Sequence, residues 1–123
     1  MVQTDISQFI AECSDWRQFL RNYKDDIQES KKALQEVCRK SLSKDDLQEV
    51  EHFDNQFHIQ LINIHDLKQS IKSHERKIQV NPENVSDDVF ADHENLLSEF
   101  IGLESTLQEL RNDFKNFINK TSC

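Results

Sequence analysis

One glycine and one proline in 123 residues give the chain few means of turning. Turns draw on the positive φ open to Gly and the fixed φ of Pro, so a globule of many short elements is excluded and a few long ones are implied. No stretch approaches eighteen uninterrupted apolar residues, the least that a membrane-spanning helix needs, so no membrane partner is expected. The opening Met1–Ser7 lacks the basic region and apolar core of a secretory leader. Three cysteines are an odd number, unlike a disulfide framework, and point to a reducing, cytoplasmic setting. Lys and Arg number 15 against 23 Asp and Glu, a net charge of −8. Nucleic acid would be repelled on average, so none is expected as a partner. There is no Gly-rich phosphate loop and no nucleophile elbow.

What is present is periodic. Charged residues make up 31% of the chain and apolar ones 36%. In the first third, Ile6, Phe9, Cys13, Trp16, Leu20, Tyr23, Ile27, Ser30, Leu34 and Val37 recur at alternating steps of three and four. Leu47, Val50, Phe53, Phe57, Leu61, Ile64, Leu67, Ile71 and Ile78 continue the rhythm. Val89, His93, Leu96, Phe100, Leu103, Leu107, Leu110, Phe114 and Phe117 complete it. Such spacing lays one stripe along one side of an α-helix, and the stripe must bury itself against other helices.

The breaks agree. Ser41-Leu42-Ser43 ends the first run, with Ser43 as N-cap, Asp46 at the third helical position and Leu42 with Leu47 as a hydrophobic staple. Asn81-Pro82 marks the second turn, after which Ser86 caps and Val85 with Phe90 forms the staple. Thr4 is the expected cap of the first helix. Helices are therefore expected over about 4–40, 44–78 and 86–119 of a single domain, 1–123. The fold class is all-α: an antiparallel up-down-up three-helix bundle of long, coiled-coil-like helices. A thirty-five-residue helix is roughly 52 Å long, so the bundle is a slender rod without room for a large cavity. Acids gather at helix starts (Asp45, Asp46, Glu49; Asp87, Asp88, Asp92). Bases gather at helix ends (Arg39, Lys40; Arg76, Lys77; Lys115, Lys120), opposing the macrodipole.

Lys44 to Phe57, Asp66 to Lys72 and Phe114 to Ile118, with Trp16 about thirty residues before the first segment, resemble a group of small, functionally uncharacterised helical proteins from Bacteroidetes. The resemblance implies a bacterial, cytoplasmic helical bundle and carries no functional residues with it.

Few constellations offer chemistry. His52, His58, His65 and His74 fall on the second helix and His93 on the third. His58 and His65 share a face but stand about 10.5 Å apart, too far for one ion. A di-iron bundle needs Glu-x-x-His on two helices, and only Glu49–His52 has that spacing. No metal site, no catalytic residue and no cofactor is expected. His93, at a seam position, is expected to bond a neighbour on the second helix such as His74 or Glu75. Asp54, Lys68 and Glu75, beside the stripe, are expected to fix register through ion pairs. Gly102 is expected to make room for Phe19 or Tyr23. Cys38 and Cys123 are expected near one end of the rod.

Ile59 and Ile62 on the second helix, with Leu97 and Ile101 on the third, fall outside the main stripe. If they converge they form an apolar patch fit for a partner protein or a second copy. The expected function is a non-catalytic helical interaction module, self-associating through this outer stripe. The alternative is an acidic ligand that mimics nucleic-acid charge on a basic target; a metal-binding bundle comes third.

Overall fold

The computed structural model describes residues 2–38, 42–80 and 87–121. They form α1 (Val2–Cys38), α2 (Lys44–Val80) and α3 (Asp87–Thr121), with no strand among the described residues. Every helix packs against the other two, and the architecture is an all-α three-helix bundle. Ion pairs Glu49–Lys120 and Lys77–Asp92 join opposite ends of α2 and α3, which therefore run antiparallel. Glu12 meets His93 and Tyr23 meets Glu104 at the same separation of 81 residues, so α1 and α3 run parallel.

The stripes become the core. Trp16, Leu20, Ile27, Leu34 and Val37 of α1 meet Phe53, Phe57, Ile64, Leu67 and Ile71 of α2 and Leu96, Phe100, Leu107, Leu110, Phe114 and Phe117 of α3. One end is aromatic. Phe53 and Phe57 of α2 meet Phe114 edge-on, with centroids 5.3 and 5.0 Å apart. Phe57 is 1% exposed, so its ring is held on all sides.

The start of α2 is built as its sequence requires. Ser43 Oγ accepts the Asp46 N–H at 3.1 Å, and Ser43 O accepts the Leu47 N–H at 3.0 Å. Asp45 and Asp46 sit in the first turn, where the helix dipole favours negative charge. Elsewhere the ends shift by a turn or less. Thr4 lies inside α1 rather than capping it, because the helix already begins at Val2. Pro82, Val85 and Ser86 lie outside the described residues.

Two packing expectations fail. Leu47, in the first turn of α2, is half exposed rather than buried in the core. Gly102 does not make room for a ring: a Cβ added there would meet nothing within 4 Å. Its position faces the shallow groove between α2 and α3, whereas Phe19 lies against Phe100 and Tyr23 against Glu104, on the side of α3 that faces α1.

Candidate functional site

The seam between the parallel helices α1 and α3 carries most of the exposed aromatic surface. Phe9 of α1 meets Phe90 of α3 edge-on at 5.1 Å, and further along Phe19 leans on Phe100 at 6.2 Å. The stripe of α3 facing α1 is marked by Glu104, which accepts the Tyr23 hydroxyl at 3.1 Å, and Gln108, which donates to Tyr23 Oη at 3.2 Å. Leu97 and Ile101 lie one heptad before these two and so share their side of the helix. Phe90 lies one heptad before Leu97. Phe90, Phe19 and Ile101 are 39, 48 and 55% exposed, while Leu97 is half-buried against the core. The seam is therefore apolar along its floor and open above it. Its banks are acidic: Glu12, Asp15 and Asp26 on α1, Glu94 and Glu104 on α3, with Arg111 engaging Asp26 at 3.6 Å.

Ile59 and Ile62 lie elsewhere. One heptad after them come Asp66 and Gln69, which line the grooves shared with α3 on the opposite side. Both isoleucines are roughly half exposed. The structure thus places Leu97 and Ile101 together on the α1–α3 seam and Ile59 and Ile62 together on α2. Sequence reasoning missed Phe19 and Phe90. Phe19 lies one residue before the core position Leu20, and Phe90 reads in the sequence as the staple partner of Val85. Neither carries a local sequence signal, because both places follow from the register of α1 against α3.

Beneath one end of this seam lies a buried polar cluster. Cys13 is fully buried, and His93 and His74 are 3 and 4% exposed. His93 Nε2 lies 2.6 Å from Glu12 Oε2, and His93 Nδ1 lies 3.0 Å from His74 Nε2. The bond expected between His93 and the second helix is present. Cys13 Sγ and one ring nitrogen of each histidine lie within 4.8 Å of one another. His74 Nδ1 has no hydrogen-bond partner among the described residues. Phe9 stacks on the His93 ring at 3.9 Å and Trp16 tilts over it at 4.9 Å, so the imidazole is walled by rings.

The electrostatics follow from burial. The bond from His93 holds the Glu12 carboxyl below its usual range, against the opposing effect of its own desolvation. Burial pushes His74 below the ordinary histidine value, and its closeness to the second imidazole, His93, adds to this. Burial pushes the Cys13 thiol up to about 12, assisted by Glu75 and Glu12 and opposed by Arg17. An uncomplexed Cys13 is a neutral thiol and no nucleophile.

Of the expected register pairs, Glu75 bonds Arg17 at 2.6 Å. Lys68 is half-buried on the α1–α2 side, where burial and then Lys24, Lys72, Arg21 and Arg17 push its ammonium down. A local basic patch therefore opposes the acidic average there. Cys123 and the side chain of Cys38 lie outside the described residues.

No family model, no curated protein and no solved structure matches the chain. No helix among the described residues is long and apolar enough to cross a membrane.

Proposed function

We propose that this chain is a non-catalytic, cytoplasmic interaction module that receives a basic amphipathic helix on its α1–α3 seam. The observation that carries the reading is the row formed by Phe90, Phe19 and Ile101, all substantially exposed along one seam between parallel helices. Scattered exposed apolar residues are ordinary; a row of them above a continuous apolar floor is the form of a docking groove. A helix laid there would complete a four-helix bundle, burying its apolar stripe on the row. The acidic banks select the charge of the visitor. Glu12, Asp15, Asp26, Glu94 and Glu104 face it from both sides and disfavour a second copy of a chain with net charge −8.

The test uses a synthetic amphipathic helix with leucines on one face and lysines at its flanks, and a glutamate-flanked version as control. The lysine peptide binds, Ile101→Asp weakens it about tenfold or more, a loss of ~1.4 kcal/mol or above, and Ile62→Asp leaves it unchanged. Moderate salt reduces affinity without abolishing it, because the apolar contribution is insensitive to screening. Equal losses from the two variants would place the contact elsewhere. Preference for the glutamate peptide would move it to the basic patch around Lys68. A doubled mass in light scattering, lost in Ile101→Asp, would make the occupant a second copy.

A further inference from the structure

We propose that Cys13, His74 and His93 form a binding site for a single divalent transition-metal cation of the zinc class, with Glu12 orienting His93 from behind. Buried positions of these helices are almost all apolar, yet at one level three side chains from three different helices present a sulfur and two ring nitrogens within 4.8 Å. Thiolate and imidazole are the donors that zinc-class ions prefer over harder cations.

The geometry is close to that of such a site. Two nitrogens on a tetrahedral zinc ion are about 3.3 Å apart, given Zn–N bonds of about 2.0–2.1 Å. The present His74 Nε2 to His93 Nδ1 distance is 3.0 Å, so a small opening of the pair admits the ion between them. Cys13 Sγ approaches from α1 within the same envelope.

The outer contacts have the form that metal-bound histidines show. A ligating imidazole characteristically donates its other N–H to a carboxylate, which fixes the tautomer and raises the basicity of the ligating nitrogen. His93 Nε2 does this to Glu12 Oε2 at 2.6 Å, leaving the Nδ1 lone pair aimed at His74 and the cluster. With His93 Nδ1 accepting, His74 must donate from Nε2, so its Nδ1 carries a lone pair that nothing among the described residues satisfies. On coordination His74 binds through Nε2 and its proton moves to Nδ1, which still has no partner among the described residues. Cys13 loses its thiol proton to solvent, so one proton is released per ion bound. Phe9 and Trp16 wall the site from the seam side, and His74 borders an open groove of about 460 Å³ between α2 and α3 that gives the ion an entry path.

The experiment is a titration of the purified, chelator-treated chain with Co²⁺ and then Zn²⁺, in a Cys38→Ser/Cys123→Ser background that leaves Cys13 as the sole thiol. The expected result is a thiolate-to-cobalt charge-transfer band with the visible bands of a tetrahedral ion. It saturates at one equivalent and is displaced by Zn²⁺. Cys13→Ala, which keeps a small apolar filler, is expected to fold and to lose the band. Glu12→Gln is expected to retain the band with affinity lowered about 10- to 100-fold. The thermal midpoint rises with Zn²⁺ in the background chain and not in Cys13→Ala. Absence of the charge-transfer band in the folded background chain, or Zn²⁺ stabilisation that survives Cys13→Ala, overturns the proposal. Because the lysine peptide is not involved, failure here leaves the docking reading to its own test.

Discussion

Arg17 grips Glu75 with two prongs: Nε–H donates to Oε1 at 2.6 Å and Nη2–H to Oε2 at 3.2 Å. The pair ties α1 to α2 in the half-buried margin of the core, next in sequence to His74. Its side chains are 23 and 11% exposed, so neither charge is fully hydrated. Removing one partner strands the other, and that penalty exceeds what the pair contributes against an apolar substitute.

Glu75→Ala is therefore expected to lower stability by about 2 kcal/mol, the scale of a charged hydrogen bond lost from a partly dry site. Arg17→Met together with Glu75→Leu should recover most of that loss. Urea unfolding of the three variants checks both statements, and a double variant no better than Glu75→Ala would show that the pair itself is strongly stabilising.

Gly102 gives a prediction of opposite sign. Its backbone is helical and a methyl group would enter open space. Gly102→Ala should raise stability by about 0.5–1 kcal/mol, mainly by restricting the unfolded chain. A loss of stability in thermal or urea unfolding would mean that the α2–α3 groove closes over this position in solution.

The aromatic end of the bundle should be the most sensitive to truncation. Phe57→Ala is expected to cost about 3–5 kcal/mol, since its ring is buried against Phe53 and Phe114 and the cavity cannot collapse easily. Leu47→Ala, at a half-exposed first-turn position, should cost well under about 1 kcal/mol. Comparable losses in chemical denaturation would show that Leu47 is covered in solution.

Acid should weaken the fold in two windows. The folded value of His74 lies below its ordinary 6.5, so the unfolded chain takes up a proton that the native one refuses. The neutral native form is fully favoured above pH 6.5, and stability is lost as pH falls below it. Glu12 is held below its ordinary 4.5, so its contribution is present above that value and is lost as pH falls through the lower folded value. Thermal midpoints should be level above about pH 7 and fall in two steps. His74→Gln should flatten the upper step and spare the lower. A midpoint that rises between pH 7 and 5 would contradict the buried, neutral state of His74.

The fold was legible because its information is local. Alternation of threes and fours and the pairing of Ser43 with Asp46 each act over a few residues, and the helices follow from them. The sites were not, because they depend on register between helices distant in the chain. Cys13 at a seam position reads as a small apolar filler. It becomes part of a polar cluster only when α1 places it level with His74 and His93. Considered on α2 alone, His74 is one of four histidines without useful spacing. Leu97 and Ile101 were recognisable as lying off the main stripe, but their place on the side of α3 that carries Glu104 follows from which neighbour α3 turns that side toward. Gly102 misled for the same reason: its level on the rod was readable and its direction was not.

Whether the α1–α3 seam accepts a partner helix is tested most directly by a methyl NMR titration of the isotope-labelled chain with the lysine-flanked amphipathic peptide. Shifts concentrated at Leu97 and Ile101, with Ile59 and Ile62 unmoved, are the predicted result. Shifts confined to Ile59 and Ile62, or no saturable shift at either pair, would contradict it.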